Sequence, residues 1–183
     1  MIFPQNKAFA TRLGWFAIAW SDRGLAALTF GHPDRETARM AISGLATVRG
    51  TTGDDHLGRV DLVVRLQAYS DGHRDDFRDV PLDLSDLTDF QRRVSLACRA
   101  IPWGDTVTYG QLAARAGSPR AARAVGGVMS RNRLPIVIPC HRVVGTARRL
   151  GGYSAVGGLD MKRRLLNLEG IARFSQTKEI RHG

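Results

Sequence analysis

Two apolar runs, Trp15-Phe16-Ala17-Ile18-Ala19-Trp20 and Leu25-Ala26-Ala27-Leu28-Thr29-Phe30, flank the turn-forming tetrapeptide Ser21-Asp22-Arg23-Gly24. That pattern predicts a β-hairpin. After His32-Pro33-Asp34 a helix is expected through Glu36, Ala38, Met40 and Ile42, and Gly50 to Asp55 reads as a loop. Val60, Val63, Val64 and Leu66-Gln67-Ala68-Tyr69 suggest a second helix, broken at Asp71-Gly72. Phe77 to Leu84 alternates apolar and polar residues, the period of a strand. His32, His56 and His73 lack ligand spacing and read as surface residues. This stretch is a small α+β unit without recognisable chemistry.

From Thr88 the period becomes helical. Thr88-Asp89-Phe90-Gln91 fits a capping box, and Phe90, Val94, Cys98 and Ile101 share one face, so Cys98 reads as a buried small hydrophobe. Ile101-Pro102-Trp103-Gly104 ends that helix. Thr108 is placed to cap a short helix, Tyr109 to Ala116, and Gly117-Ser118-Pro119 makes a turn. Ser118 is then expected to cap the next helix, with Pro119 at its first position. Helix, glycine turn and helix form a helix-turn-helix signature. The second helix is nearly bare: Ala121, Ala122, Ala124, Gly126 and Gly127, with Arg120, Arg123 and Arg131 on roughly one side. Each helical glycine costs about 1 kcal/mol relative to alanine, so two in succession call for close approach to another surface. A neutral core would not favour the arginines, whereas a nucleic-acid groove would.

Composition sharpens this picture. With 183 residues and 43% hydrophobic content, the chain can bury a core as one domain or two small ones. Two cysteines cannot build a disulfide framework or a four-cysteine zinc site. Asn6, Lys7, Arg12, Asp22 and Arg23 interrupt the early apolar positions, so neither signal peptide nor membrane span is expected, and the protein is placed in the cytoplasm. The net charge is +10, split as −1 over residues 1–83 and +11 over residues 84–183. The expected organisation is therefore a near-neutral domain at 1–83, a basic module at 84–174 and a flexible tail at 175–183. A polyanionic partner follows, with nucleic acid ahead of a membrane surface.

The strongest chemical signal is Leu134-Pro135-Ile136-Val137-Ile138-Pro139-Cys140-His141-Arg142-Val143-Val144. Apolar residues between prolines, followed by Cys-His-Arg, suggest a buried, rigid, extended stretch that delivers one thiol to a fixed point. Neighbouring residues on a strand face opposite ways, so a Cys140–His141 interaction needs a turn, a helix start or a bridging water.

Pro139-Cys140-His141-Arg142-Val143 resembles the active-site signature of the O6-alkylguanine-DNA alkyltransferases. The resemblance continues through Ile101-Pro102-Trp103-Gly104, Thr108-Tyr109-Gly110-Gln111-Leu112-Ala113 and Arg120 to Gly127. It resumes at Gly152-Tyr153-Ser154, Gly157-Gly158-Leu159 and Leu165 to Gly170. It covers roughly residues 85–172 in order. It implies an α+β protein with a ribonuclease H-like N-terminal domain and a winged-helix-like C-terminal one, acting as a monomer on duplex DNA that contains alkylated bases. By resemblance Cys140 is the acceptor nucleophile, with His141 (through a water) and Glu169 forming the thiol-activating relay. Asn132 is the hinge residue, Tyr109 helps rotate the nucleotide and donates to the guanine, and Arg123 fills the gap in the base stack. Arg120, Ala121, Ala122, Gly126, Gly127 and Arg131 complete the DNA-binding set, and Val143, Tyr153, Ser154 and Pro135 line the pocket. Each molecule is expected to react once, because the product thioether is not hydrolysed, and no metal or organic cofactor is implied.

Two positions depart from the family pattern. Arg133 stands where many members have proline, which either loosens the hinge or adds a phosphate contact. Val156 replaces a frequent proline in the pocket loop and leaves its rigidity open. Members with a structural zinc use N-terminal cysteines, which residues 1–83 lack, so zinc of that type is not expected. Two other readings are a non-catalytic binder of alkylated DNA, against which Cys140 with His141 and Glu169 argues, and a helix-turn-helix regulator, for which no second module is present.

Overall fold

The computed structural model describes residues 6–45 and 56–171. The expected Gly50–Asp55 loop, the tail from Ser175 and the side chain of His56 lie outside them. The N-terminal half opens with an antiparallel sheet of β1 (Asn6–Thr11), β2 (Gly14–Ser21) and β3 (Gly24–His32), ordered β1-β2-β3. The predicted hairpin is β2–β3, closed at Ser21 opposite Gly24. Along β2 the pleat sorts side chains by size. Ala17 and Ala19 join Ala27, Ala38 and Ile42 on one face, where small residues let helix α1 (Arg35–Leu45) lie against the sheet. Phe16 and Ile18 enter the main core on the other face with Leu28 and Phe30. Helix α2 (His56–Ser70) follows and ends at the Asp71-Gly72 turn, as the pattern implied.

Two local expectations fail in this half. Residues 77–84 form turns rather than a strand, because Asp75 Oδ1 captures the Phe77 N–H at 2.7 Å and Phe77 has φ +48. Of that run only Leu82 pairs, as a single parallel bridge to Leu25. Its alternation reflects burial of Phe77 and Val80, whose carbonyls both accept from Arg99 Nη2. His73 is exposed, but His32 is buried, its Nε2 lying 2.6 Å from Thr29 Oγ1.

The C-terminal half is mainly helical. Thr88 caps α3 (Asp89–Arg99) with Gln91 returning the bond, and Cys98 is fully buried. The two-residue strand β4 (Val107–Thr108) leads into α4 (Tyr109–Arg115), where Thr108 and Gln111 repeat the capping box. The next helix, α5 (Ala122–Ser130), starts later than expected. Ser118 to Ala121 closes a turn of its own (Ala121 N–H to Ser118 C=O, 2.9 Å), with Pro119 at the second position its ring favours, so Ser118 and Pro119 do not cap the helix. Residues 134–139 are wound rather than extended: Ile138 N–H donates to Leu134 C=O at 2.7 Å, and Ile136 has φ +73. Cys140–Arg142 form one 3-10 turn, β5 (Val143–Val144) pairs in parallel with β4, and α6 (Gly158–Leu168) closes the fold. One buried cluster runs from Phe9 to Leu165 through both halves. Among the described residues no helix is long and apolar enough to cross a membrane.

Candidate active site

Three devices place the Cys140 thiol. Pro139 precedes the 3-10 turn, which starts Cys140 and His141 winding instead of alternating. Asn132, just past α5, clamps the preceding loop: its Nδ2 donates to Ile138 C=O at 2.8 Å, and its Oδ1 accepts from Leu134 N–H at 3.0 Å. The β4–β5 pairing then anchors the chain after the turn. Cys140 is 8% exposed, so its thiol is almost desolvated. Burial pushes it above the usual thiol range, opposed by a hydrogen bond from Asn132, the Lys162 charge and backbone N–H groups of the turn.

Behind the thiol lies a buried polar cluster. His141 Nε2 is 2.8 Å from Glu169 Oε1, and Arg142 holds both carboxylate oxygens, Nε to Oε2 at 2.8 Å and Nη2 to Oε1 at 2.9 Å. Arg142 Nη1 also donates to Ile101 C=O at 2.6 Å. Burial opposes the Glu169 charge, but His141 and Arg142 overcome that and hold its pKa at about 2. His141 moves down: its own burial and the Arg142 and Lys162 charges outweigh Glu169. The pair is therefore carboxylate and neutral imidazole, with Arg142 as the counter-charge. His141 Nδ1 is buried and has no partner among the described residues.

On the solvent side a cavity of 620 Å³ opens over Cys140. Tyr109, Ala122, Arg123 and Gly126 form its wall from α4 and α5, and Tyr153 and Ser154 face them from the loop before α6. Gly152 of the Gly152-Tyr153-Ser154 motif also lines it, as do Met129 and Ser130, which no sequence motif singles out. Gly151, at φ +71, is required here, because a Cβ would meet the Tyr109 ring at 3.0 Å. Burial raises Tyr109 and Tyr153, so both phenols keep their protons, and the Tyr153 hydroxyl sits against the thiol without a better-formed partner among the described residues.

The remaining expected site residues lie elsewhere. Pro135 lines a smaller 210 Å³ cavity that reaches Cys140 from the β3 side. Val143 is fully buried and does not line the large cavity. Arg120 precedes α5, Ala121 is its N-terminal boundary and Arg131 its C-terminal one, so the three arginines do not form one stripe on the helix. Gly127 faces Arg131 rather than the cavity. Arg133 is bound to Asp86 and to the Asp83 carbonyl, so its side chain is already committed within the protein.

Two buried residues escaped the sequence reading. Lys162 on α6 is fully buried, with Nζ 2.6 Å from Val143 C=O and 3.5 Å from Gly152 C=O. Tyr69 on α2 is fully buried and donates to Glu169 Oε1 at 2.8 Å. A lysine on an amphipathic helix and a tyrosine on an apolar one look ordinary in sequence. Only their neighbours across the fold distinguish them.

A helix-turn-helix whose second helix overhangs a nearly desolvated cysteine, itself backed by a histidine–carboxylate pair, is the class of site this fold builds. Similarity to known proteins narrows that class. Residues 89–171 match the DNA-binding domain of 6-O-methylguanine DNA methyltransferase. The chain is 49% identical over 107 residues to the methylated-DNA–protein-cysteine methyltransferase of Mycobacterium tuberculosis, covering 58% of this chain and 62% of that protein. To the protein of that name from Methanothermobacter thermautotrophicus it is 45% identical over 116 residues, 63% of each. These alignments span somewhat under two thirds of the relatives' length, but the structural match is broader. The crystal structure of Mycobacterium tuberculosis OGT in complex with DNA superposes with a TM-score of 0.68 at 34% identity, covering 90% of this chain and 92% of that one. The chain belongs to the methylated-DNA–protein-cysteine methyltransferase family.

Proposed function

We propose that this protein reverses alkylation damage in DNA by moving the alkyl group from O6-alkylguanine to Cys140, irreversibly and once per molecule. The observation that carries the reading is the position of the thiol: at the floor of a 620 Å³ cavity beneath α5, with His141 and Glu169 directly behind it. On this reading the N-terminal half is ribonuclease H-like, the C-terminal half winged-helix-like, and the boundary falls near Asp83–Ser85. The protein works inside the cell as a monomer, without cofactor.

An O6-alkyl group is sheltered inside the duplex, so the base must be extruded at a cost of a few kcal/mol. Arg123, exposed at the cavity rim, fills the vacated stack, and the bare surface of Ala122 and Gly126 admits the DNA backbone. Tyr109 and Ser154 orient the guanine. The Cys140 proton passes to His141 Nδ1, through a water, and the thiolate attacks the alkyl carbon in line. The S–C bond forms as the C–O bond breaks, and guanine leaves with the electron pair. Hydrogen-bond donors such as the Tyr109 phenol stabilise that developing charge. The proton given up by the thiol ends on guanine, which completes the balance.

The test is intact-mass measurement after incubation with a short duplex carrying O6-methylguanine. A gain of one methyl, absent in Cys140→Ser, is expected. Unchanged mass with tight binding would show a binder and not a transferase.

A further inference from the structure

Glu169 Oε1 receives three donors. His141 and Arg142 come from the reactive turn itself, at 2.8 and 2.9 Å. The third is the Tyr69 hydroxyl at 2.8 Å, from a residue 100 positions earlier in the chain. Its ring is fixed by packing, edge-on to Trp103 at 5.3 Å and tilted against Phe77 at 5.8 Å. The Tyr69 oxygen also lies 3.4 Å from His141 Nε2.

These contacts set the protons. Glu169 is ionised, and Tyr69 is not, since burial and the adjacent carboxylate both raise it. The phenol therefore donates to the carboxylate and presents only lone pairs to His141. Nε2 then faces two acceptors, Glu169 Oε1 and Tyr69 Oη, so in the neutral ring Nε2 carries the proton. That leaves Nδ1 as the basic nitrogen, and Nδ1 is the buried atom without a partner among the described residues.

We propose that Tyr69, in the N-terminal half, is a positioning residue of the reactive centre: its hydroxyl locks His141 in the Nε2–H tautomer and keeps Nδ1 free to take the Cys140 proton. The consequence for repair rests on the alkyl-transfer reading, while the tautomer does not. The charged groups around His141 are Arg142 on its own turn and Lys162 and Glu169 from the α6 region, with the neutral Cys140 thiol on the preceding residue and Asp76 3.6 Å from Arg142. Arg142 and Lys162 disfavour the imidazolium and Glu169 favours it. Tyr69 engages part of the Glu169 charge, so removing the hydroxyl releases that charge to His141 and raises its pKa.

Tyr69→Phe keeps the ring and loses only the hydroxyl. Its Cys140 is alkylated with iodoacetamide over roughly pH 5 to 9, a range that brackets an ordinary histidine, and the product is located by intact mass and peptide mapping. Loss of one hydrogen bond to a charged group predicts a rate about tenfold lower at neutral pH. The acid limb should also move to higher pH, while affinity for duplex DNA stays unchanged. A wild-type rate and profile would overturn the proposal and leave Tyr69 a packing residue. A drop that is uniform in pH would overturn it as well. Should the variant fail to fold, nitrogen-15 histidine NMR of the wild-type protein decides: a neutral ring protonated at Nε2 supports the lock, and the Nδ1–H tautomer refutes it. The iodoacetamide reaction needs no DNA. A wild-type protein that alkylates normally but takes no methyl from the duplex therefore sinks the repair reading without touching this one.

Discussion

Lys162 shows how much a single residue can contribute unseen. Its ammonium is buried with Val143 C=O and Gly152 C=O as partners, and it acts on Cys140 as a positive charge. Burial lowers its pKa from 10.5 to about 8, against the pull of the two cysteine sulfurs. Because the folded pKa lies below the unfolded one, the unfolded chain binds more protons between about 8 and 10.5. The stability contribution of Lys162 therefore rises with pH across that window. Lys162→Met should abolish this slope in urea melts, and should raise the Cys140 thiol pKa, read from thiolate absorbance against pH. The orphaned Val143 carbonyl should lower stability by about 1–3 kcal/mol. If the thiol titrates unchanged, Lys162 serves only to tie β5 to α6. Cys140, His141 and Glu169 were legible in the sequence because their spacing matches a known signature. Lys162 and Tyr69 were not, since burial decides their roles and neither belongs to a local motif.

At the scale of elements, α5 separates internal packing from recognition. A Cβ at Gly126 would stand 3.9 Å from the Tyr109 ring, ordinary contact, and one at Gly127 would be 3.4 Å from the mobile end of Arg131. Among the described residues nothing demands either glycine. Gly126→Ala should therefore keep or raise the melting temperature, since alanine is favoured over glycine by about 1 kcal/mol in a helix. It should nevertheless weaken DNA binding in a mobility-shift titration. Loss of stability without loss of affinity would return the glycine to a packing role. Arg123→Ala makes the companion test: transfer within duplex DNA should slow far more than reaction with a free base analogue, and equal slowing would refute stack filling. The capping boxes of α3 and α4, the hairpin and both N-terminal helices could be read from local pattern, because each is set by residues a few positions apart. The strand wrongly expected at 77–84 and the extended segment expected before Cys140 failed for one reason. Apolar spacing there records burial against distant partners, and Asp75 and Asn132 set the backbone through side-chain hydrogen bonds. Strand β1 was missed because its burial alternates only weakly.

For the whole molecule, the charge break near Asp83 separates chemistry more cleanly than it separates structure. The two halves share the buried cluster and are joined by the backbone bond Leu28 N–H to Arg133 C=O, beside Asn132, while Leu25 N–H to Pro81 C=O and Asp83 N–H to Leu25 C=O tie the connecting segment back to β3. Tyr69 adds a side-chain bond directly to Glu169. A fully buried aliphatic or aromatic side chain contributes about 1.5–3 kcal/mol. A domain of this size has only about 5–15 kcal/mol in total. Removing residues 1–83 uncovers Trp103, which packs edge-on to Tyr69, and opens the shared cluster along β3, so a few such losses exhaust the margin. A fragment of residues 84–183 should therefore lose cooperative melting, and its Cys140 should react with iodoacetamide like an ordinary exposed thiol. Adding residues 1–83 in trans should restore both the melt and methyl uptake from duplex DNA. A fragment that repairs DNA at the full rate by itself would make the N-terminal half dispensable and place the reactive centre wholly in the basic module. Failure of the trans mixture alone would mean only that the halves must be covalently joined to find one another.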